Sequence, residues 1–376
     1  SVGMCGGFLV LALGVAAAFR SFQVTTIAEL FQTQFHSVTL KKVVSLLSIL
    51  ALSGIFIAQV VASKSLLVGL GVHNEGVFIA FWVLLVGYTM YGGLPAVVIT
   101  DIMQVLIILV VFGGLFMQLW WQGTVALPSY PQMRSLVDGS TDISRYAVGY
   151  LLMPMLFSIV EQDLAQRFFA ARTRQVAMTS ALAASGILLL FAFIPVCLGL
   201  QARVSGVVVT DGANPLITFL AQHTGPFMYA LVMCALVAAI ASTADSILCA
   251  ISSNVVHDFV PAAKGGQRSM VAARCITALV GLSGLVGSYY VIDILDLLTQ
   301  SYELLVSCTL VPVVICLTPL PKERLAALGA IVGGGLLFIL CTIFGTPCGM
   351  SRPLVSVLCS CIGYCVGMLR ARWASH

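Results

Sequence analysis

Charge is scarce in this chain of 376 residues: Asp, Glu, Lys and Arg together make up 9% of it, whereas hydrophobic residues make up 60%. A soluble domain carries about 25% charged residues, with which it covers its surface. So few charges exclude a water-soluble fold of this length and indicate that lipid is the solvent for most of the chain. Because unpaired strand edges are not tolerated in hydrocarbon, the composition predicts an all-α, polytopic membrane protein.

Several other functional signatures are missing. No stretch of Lys and Arg interleaved with aromatic residues predicts a nucleic-acid groove. The twelve cysteines lack zinc-type spacing, and all but Cys348 lie in apolar runs, where a free thiol packs as a small hydrophobic group. The five histidines are scattered, and none stands at a recognisable spacing from a nucleophile. We therefore expect no enzyme activity, no organic cofactor, no nucleic-acid partner and no obligate protein partner.

Apolar runs of about 20 residues, the length that crosses a bilayer as a helix, predict eleven membrane spans. They cover residues 1–19, 43–69, 76–91, 96–121, 144–162, 175–201, 226–256, 269–291, 294–318, 325–345 and 353–370. Most Lys and Arg residues fall on alternate connections, so the positive-inside rule places those connections and the C-terminus in the cytoplasm. A short amphipathic helix is predicted over residues 24–35, on the cytoplasmic side.

Ionisable and hydroxyl-bearing residues inside the spans are candidate functional residues. In the seventh span, Ser242, Thr243 and Ser246 lie three or four residues apart on one helix face, with Asp245 at its edge. A small hard cation prefers such oxygen ligands. Asp101 follows the YGGLP turn at the start of the fourth span. The alternatives are hydroxyls that bond to their own helix and a hydrated carboxylate near the interface.

Two further spans carry features that favour binding. Pro154 lies in the fifth span and removes a backbone donor there. Broken helices expose backbone groups near the membrane midplane, where transporters bind solutes and ions. In the ninth span, Tyr302 and Glu303 form a polar start. A simple kink in the one span, and a structural contact between helices in the other, are the alternatives.

Three stretches together resemble the sodium:solute symporter family, which includes transporters of proline, pantothenate and choline. They are residues 87–104 (GYTMYGGLPAVVITDIMQ), 161–172 (EQDLAQRFFAAR) and 238–253 (AAIASTADSILCAISS). The resemblance implies one transmembrane domain over residues 1–376, with a leucine-transporter-type fold of two inverted five-helix repeats. The remainder of the first repeat would occupy 1–121, the second repeat 144–318, and peripheral helices 325–370.

The resemblance also implies that the chain is truncated at its N-terminus. Its first span, which begins at Ser1 inside an apolar run, corresponds to the second core helix of the family. The first core helix, which supplies further sodium ligands in the family, would then be missing. The chain as given is not expected to transport on its own.

Roles for individual residues are implied in the same way. The carbonyl of Ala239 with the hydroxyls of Ser242 and Thr243 would form the main sodium site. A second cation site, or the exit route of sodium, would be formed by Asp101, Asp245 and Ser246. The residues that would contact or gate the substrate are Phe157, Gln162, Tyr302 and Glu303.

The sequence therefore predicts sodium-coupled symport of a small organic solute by alternating access, with Na⁺ as the coupling ion. The expected location is a plasma membrane, specifically the bacterial inner membrane. Two alternatives stay open. One is a proton-coupled transporter of the same fold, favoured by Asp101 and Asp245, and the other is a non-transporting sensor or decayed fragment of the family.

Overall fold

The computed structural model describes residues 2–125, 143–205, 215–260, 266–291, 293–346 and 351–374. Within these ranges all regular structure is helical, and we number the helices in chain order. They are α1 (Val2–Phe22), α2 (Ile27–Phe35), α3 (Val38–Gly69), α4 (Glu75–Trp121), α5 (Ile143–Val160), α6 (Gln162–Phe169), α7 (Arg174–Val204), α8 (Pro215–His223), α9 (Pro226–Phe259), α10 (Gly266–Gly287), α11 (Ile294–Leu317), α12 (Arg324–Phe344) and α13 (Arg352–Ala374).

Nine helices of the described chain are long and apolar enough to cross a membrane, namely α1, α3, α4, α7 and α9 to α13. The number differs from the predicted eleven for two reasons. The predicted third and fourth spans continue into each other as α4, which has 47 residues. The predicted fifth span is α5, whose described apolar part, Leu151–Val160, is shorter than a span.

Helix α4 is kinked at Gly93, the residue predicted to lie in a turn. A straight helix of its length would measure about 70 Å, more than twice the roughly 30 Å of hydrocarbon in a bilayer. Gly93 has φ 58° and ψ −162°, a region of backbone conformations that is essentially restricted to glycine. A Cβ on the preceding Gly92 would lie 2.4 Å from the Cβ of Ala96. The two glycines therefore allow α4 to bend, so that its halves serve as two spans.

The core of the bundle is built around α3, which packs against α2, α9 and α11. A Cβ on Gly54 would lie 2.2 Å from the Ser301 hydroxyl of α11, so these two helices approach closely because Gly54 lacks a side chain. On another side, Phe56 meets Trp82 edge to face at 5.4 Å, and the Trp82 indole donates to Ser63 at 3.0 Å. This packing fixes α3 as the scaffold beside which α9 lies.

The predicted amphipathic helix is confirmed as α2. Thr26 caps its N-terminus by accepting a hydrogen bond from the Glu29 amide at 2.9 Å, and Glu29 accepts one from the Thr25 amide at 2.7 Å. The arrangement is similar to a capping box, except that Glu29 accepts from the residue before the N-cap rather than from the N-cap itself. Leu30 and Phe31 are completely buried, so the apolar face of α2 packs against α3 and other helices of the protein.

Helices α12 and α13 form a tight pair that packs against α11. A Cβ on Gly329 would lie 2.3 Å from the Gly363 carbonyl oxygen, and one on Gly363 would lie 2.2 Å from that of Gly329. Small residues allow such close backbone approach between membrane helices. The pair occupies the range predicted for peripheral helices, while the division of the chain into two repeats stays a prediction at this point.

The kink in α4 can be tested with Gly93→Ala. Because alanine is strained at this backbone conformation, we expect the variant to lose about 1–3 kcal/mol of stability. The measurement is the thermal unfolding midpoint of the purified protein in detergent. Gly113→Ala is the matched control, since Gly113 lies in the same helix and a Cβ added there would meet no other atom within 4 Å. Equal midpoints for the two variants would contradict the requirement for glycine at position 93.

Candidate functional site

The three predicted ligands of the main sodium site lie together on α9. The Ser242 and Thr243 hydroxyls both donate to the Ala239 carbonyl, at 3.0 and 3.1 Å. Thr243 is exposed, whereas the adjacent Ala244 and Asp245 are completely buried. The structure therefore presents the hydroxyls of Ser242 and Thr243 on an open face of an otherwise well-packed stretch of helix.

The local geometry decides what this hydroxyl face can bind. Hydroxyl groups that donate to a carbonyl three or four residues earlier are common in helices. Each hydroxyl oxygen still keeps lone pairs with which it can accept a hydrogen bond or bind a cation. The Ala239 carbonyl, by contrast, already accepts from both hydroxyls, so it can bind a cation fully only if Ser242 and Thr243 rotate away. The hydroxyl oxygens are thus the more available ligands.

The residues of the predicted second site also come together, between α4, α6 and α9. The Asp101 carboxylate accepts from Arg167 at 3.0 Å, and the same guanidinium nitrogen donates to the Ser246 hydroxyl. Ser246 lies 3.5 Å from the same oxygen of Asp101. Asp245 is completely buried and accepts a hydrogen bond from the Tyr88 hydroxyl. We refer to Tyr88, Asp101, Arg167, Asp245 and Ser246 as the carboxylate cluster.

Sequence reasoning missed Tyr88 and Arg167 as members of this cluster. Both residues lie in two of the stretches that carry the family resemblance, so they were visible as polar residues. Their spacing along the chain gives no sign of which helix they meet, since Arg167 contacts Ser246 across 79 positions and Tyr88 contacts Asp245 across 157. Only the packing of α4 and α6 against α9 brings them together.

The carboxylate cluster contains more acidic than basic side chains. Burial alone would lower the pKa of Arg167. The nearby carboxylates of Asp163 and Asp101 outweigh this effect and raise the pKa of Arg167 above its ordinary value, so its side chain stays positive. Asp163 also pairs with Arg167, at 3.5 Å, which leaves three carboxylates, including Asp245, around one cation. Among the described residues, the buried Oδ1 atoms of Asp101 and Asp245 have no hydrogen-bond partner. These two oxygens can accept a monovalent cation or a proton.

The four predicted substrate residues separate into two groups. The rings of Phe157 and Tyr302 are in contact, with centroids 4.3 Å apart. The Gln162 amide instead accepts from the Ile27 amide at 2.8 Å and donates to the Thr25 carbonyl at 3.2 Å, so it ties α6 to the start of α2. Glu303 pairs with Arg352 at 3.5 Å. Of the four residues, Phe157 and Tyr302 are therefore the pair whose side chains are least engaged in polar contacts with the rest of the described protein.

The break beside this aromatic pair is not at Pro154, which lies inside the continuous helix α5. The chain leaves helical geometry at Glu161, with φ −74° and ψ 121°, and α6 begins at the next residue. A proline inside a membrane helix is tolerated where neighbouring groups satisfy the freed carbonyl. The prediction of a broken segment is confirmed, but its position moves by about two helical turns.

A cavity of about 630 Å³ lies at the end of the bundle that the charge pattern predicts to be cytoplasmic. Its walls come from the kink of α4, the ends of α6 and α9, the start of α10 and residues 23–25. Thr89, Gln166 and Cys249 line it and are neighbours of Tyr88, Arg167 and Asp245 in their helices. The cavity thus extends from the level of the carboxylate cluster towards the predicted cytoplasm.

Comparison with known proteins fits this arrangement. The sodium:solute symporter family matches residues 1–336. A solved structure of a Na⁺-coupled sialic acid symporter, in a substrate-bound outward-open state with a novel Na⁺ site, superimposes with a TM-score of 0.75. The two sequences are 18% identical, and the match covers 98% of this chain and 82% of the other. No curated protein matches at a significant level. The structural match shows the fold, which is of the leucine-transporter type, as predicted.

The link between Asp101 and Arg167 can be measured with a double-mutant cycle. We expect a coupling of about 1–3 kcal/mol between Asp101→Asn and Arg167→Met, since the groups are in contact and share partners. The control is the pair Lys64–Glu75, which is 3.6 Å apart but has an exposed carboxylate; its cycle should give less than about 1 kcal/mol. Thermal unfolding of the four proteins of each cycle reports the coupling, and equal couplings would contradict a special role for the Asp101 pair.

Proposed function

Because the chain belongs to the sodium:solute symporter family, we propose that it carries a small organic solute across the membrane together with Na⁺, by alternating access. It is an integral, multi-pass membrane protein and a transporter rather than an enzyme. The observation that carries the mechanism is the open hydroxyl face of α9, where Ser242 and Thr243 keep oxygen lone pairs available on a helix whose neighbouring residues are buried.

In the proposed mechanism, Na⁺ binds first to the hydroxyl face and favours the outward-open state. A ligand shifts such an equilibrium only by its differential affinity for the two states, so the hydroxyl face must be more complete in one state than in the other. When Na⁺ binds, the two hydroxyls are proposed to rotate away from the Ala239 carbonyl, so that one carbonyl and two hydroxyls become three oxygen ligands on the same helix.

Release is proposed to run through the carboxylate cluster. Ser246 lies one turn along α9 from Ser242, and its hydroxyl contacts Asp101 and Arg167. The unpartnered oxygens of Asp101 and Asp245 offer a cation its next ligands, and the 630 Å³ cavity leads on from there. On this path Na⁺ would bind and leave on successive turns of one helix. The membrane is proposed to be a bacterial inner membrane, with the C-terminus of the chain on its cytoplasmic side.

The energy for accumulation comes from the sodium gradient and the membrane potential. Each positive charge that enters an inside-negative compartment contributes about 2.3 kcal/mol per 100 mV. The solute is proposed to bind beside Phe157 and Tyr302, next to the break at Glu161. The proposed sodium site lies on an exposed helix surface, and the proposed solute site lies beside a broken helix. In this arrangement a single conformational change can open or close both sites together.

Proton coupling is the second candidate, favoured by the same two unpartnered carboxylate oxygens of Asp101 and Asp245. The two candidates differ in the coupling ion that must be present outside the membrane. Uptake into proteoliposomes that contain the full-length native protein, with external Na⁺ replaced by K⁺ at constant pH, should fall to background if Na⁺ is the coupling ion. Undiminished uptake in K⁺ would overturn sodium coupling and support the proton alternative.

The hydroxyl face is tested with the double substitution Ser242→Ala and Thr243→Ala. Removing two oxygen ligands, each worth about 1.5 kcal/mol or more when bound to a charge, should weaken Na⁺ activation of uptake by about 100-fold. The measurement is the Na⁺ concentration that half-saturates solute uptake.

The matched control removes two hydroxyls that make the same type of bond elsewhere. Thr179 and Ser283 are exposed, and each donates to a carbonyl of its own helix. Thr179→Ala with Ser283→Ala should leave Na⁺ activation unchanged. Wild-type Na⁺ activation after loss of Ser242 and Thr243 would refute the proposed site.

A further inference from the structure

Glu161 is a buried carboxylate that the described protein leaves unpaired. It is 8% exposed and lies at the break between α5 and α6, where it makes no side-chain cap for α6. Within the described residues it forms no hydrogen bond and no ion pair, and its Oε2 atom is fully enclosed. Glu161 opens the stretch 161–172 that carries part of the family resemblance, but the proposed sodium site does not use it.

A carboxylate in this position is costly unless something compensates its charge. Burial of an isolated ionised group in a low-dielectric interior is so unfavourable that the group binds a partner or takes up a proton. The nearest cation, Arg167, is already held by Asp101, Asp163 and Ser246. Since the described residues supply no partner, we infer that the compensating charge comes from a ligand or from a proton.

The surroundings of Glu161 favour a particular kind of ligand. Phe157 lies one helical turn earlier and its ring contacts Tyr302; the Glu161 carboxylate interacts electrostatically with Tyr302. The neighbouring Gln162 uses its amide oxygen and one amide N–H to bind the backbone of Ile27 and Thr25 at the start of α2, so it does not pair with Glu161. The chemistry around Glu161 is thus one negative charge beside aromatic rings, whose faces attract organic cations.

We propose that the transported solute carries an organic ammonium group, which pairs with the Glu161 carboxylate beside the Tyr302 ring. This inference rests on the proposed function, because it names the chemical class of the solute for the same transporter. A solute that bears only negative charge at this position is disfavoured, since it would approach an uncompensated carboxylate. A neutral solute would leave the buried charge of Glu161 without a partner.

The first experiment compares a cation with its uncharged isostere. Choline and 3,3-dimethylbutan-1-ol have nearly the same shape and differ in the charge of the head group, and acetate serves as the anionic probe. Thermal stabilisation of the detergent-solubilised, full-length protein is measured with each probe in the presence of Na⁺. We expect choline to stabilise the protein and the other two probes to have little effect. Equal stabilisation by the neutral isostere would overturn the proposal.

The second experiment changes the residue. Glu161→Gln keeps the size of the side chain and removes a buried charge, so the variant should fold at least as well as the wild type. We expect its affinity for choline to fall by about 10-fold or more, the range of a lost charge-assisted contact. Glu323→Gln is the matched control, because Glu323 is exposed at the start of α12. Unchanged choline binding in Glu161→Gln would refute the inference.

The role of the ring is separated from that of the charge at position 302. Tyr302→Phe keeps an aromatic face and should retain choline binding within about threefold, whereas Tyr302→Leu removes the face and should weaken it by more. If only the carboxylate mattered, the two variants would behave alike, and this would remove Tyr302 from the site.

Failure of this inference is distinguishable from failure of the proposed function. Stabilisation by Na⁺ alone depends on the hydroxyl face of Ser242 and Thr243, and it should persist in Glu161→Gln. If Na⁺ stabilises the protein while choline does not, the ammonium assignment is wrong and sodium coupling stands. If Na⁺ has no effect on the wild type, the proposed function fails regardless of the result with choline.

Discussion

The compensation of charge in a low-dielectric bundle organises the polar residues of this protein. Of the four buried carboxylates among the described residues, two have a partner of opposite sign: Asp258 lies 3.5 Å from Lys41, and Glu303 lies 3.5 Å from Arg352. In a medium where an unpaired charge is expensive, such pairs need no ligand. The exceptions are Asp245, whose only described side-chain partner is the Tyr88 hydroxyl, and Glu161. The two candidate binding regions are therefore the places where the protein leaves charge uncompensated.

The two regions are joined through the elements that carry them. Helix α9 holds Ser242, Asp245 and, at its far end, Asp258, which accepts a hydrogen bond from Thr26 at the start of α2. The start of α2 is held a second time by Gln162, directly after the break at Glu161. A movement of α9 relative to α6 therefore has to strain or rearrange the contacts of one short capped helix. This geometry connects the proposed cation site and the proposed solute site through the start of α2.

Sequence patterns predicted the features that depend on a single helix. The lengths of apolar runs located most spans, and helical spacing placed Ser242, Thr243 and Ser246 on neighbouring positions of one helix. The sequence was less informative where several helices decide together. The break lies at Glu161 rather than at Pro154 and is followed directly by Gln162, which binds the Ile27 amide, and no local pattern reports a contact between residues 135 positions apart. The same holds for Arg167, whose place beside Asp101 depends on how α6 packs.

An ammonium solute also has consequences for the energetics of the cycle. If Na⁺ and a cationic solute enter together, two positive charges cross the membrane, and each contributes about 2.3 kcal/mol per 100 mV in an inside-negative cell. The empty carrier then returns with Glu161 unpaired, which is the state that burial penalises most. Without solute, Glu161 would have to take up a proton for this step, as a buried carboxylate without a partner does. On the proposed assignment, one carboxylate at the break therefore favours a cationic solute, and its protonation would accompany the return of the empty carrier.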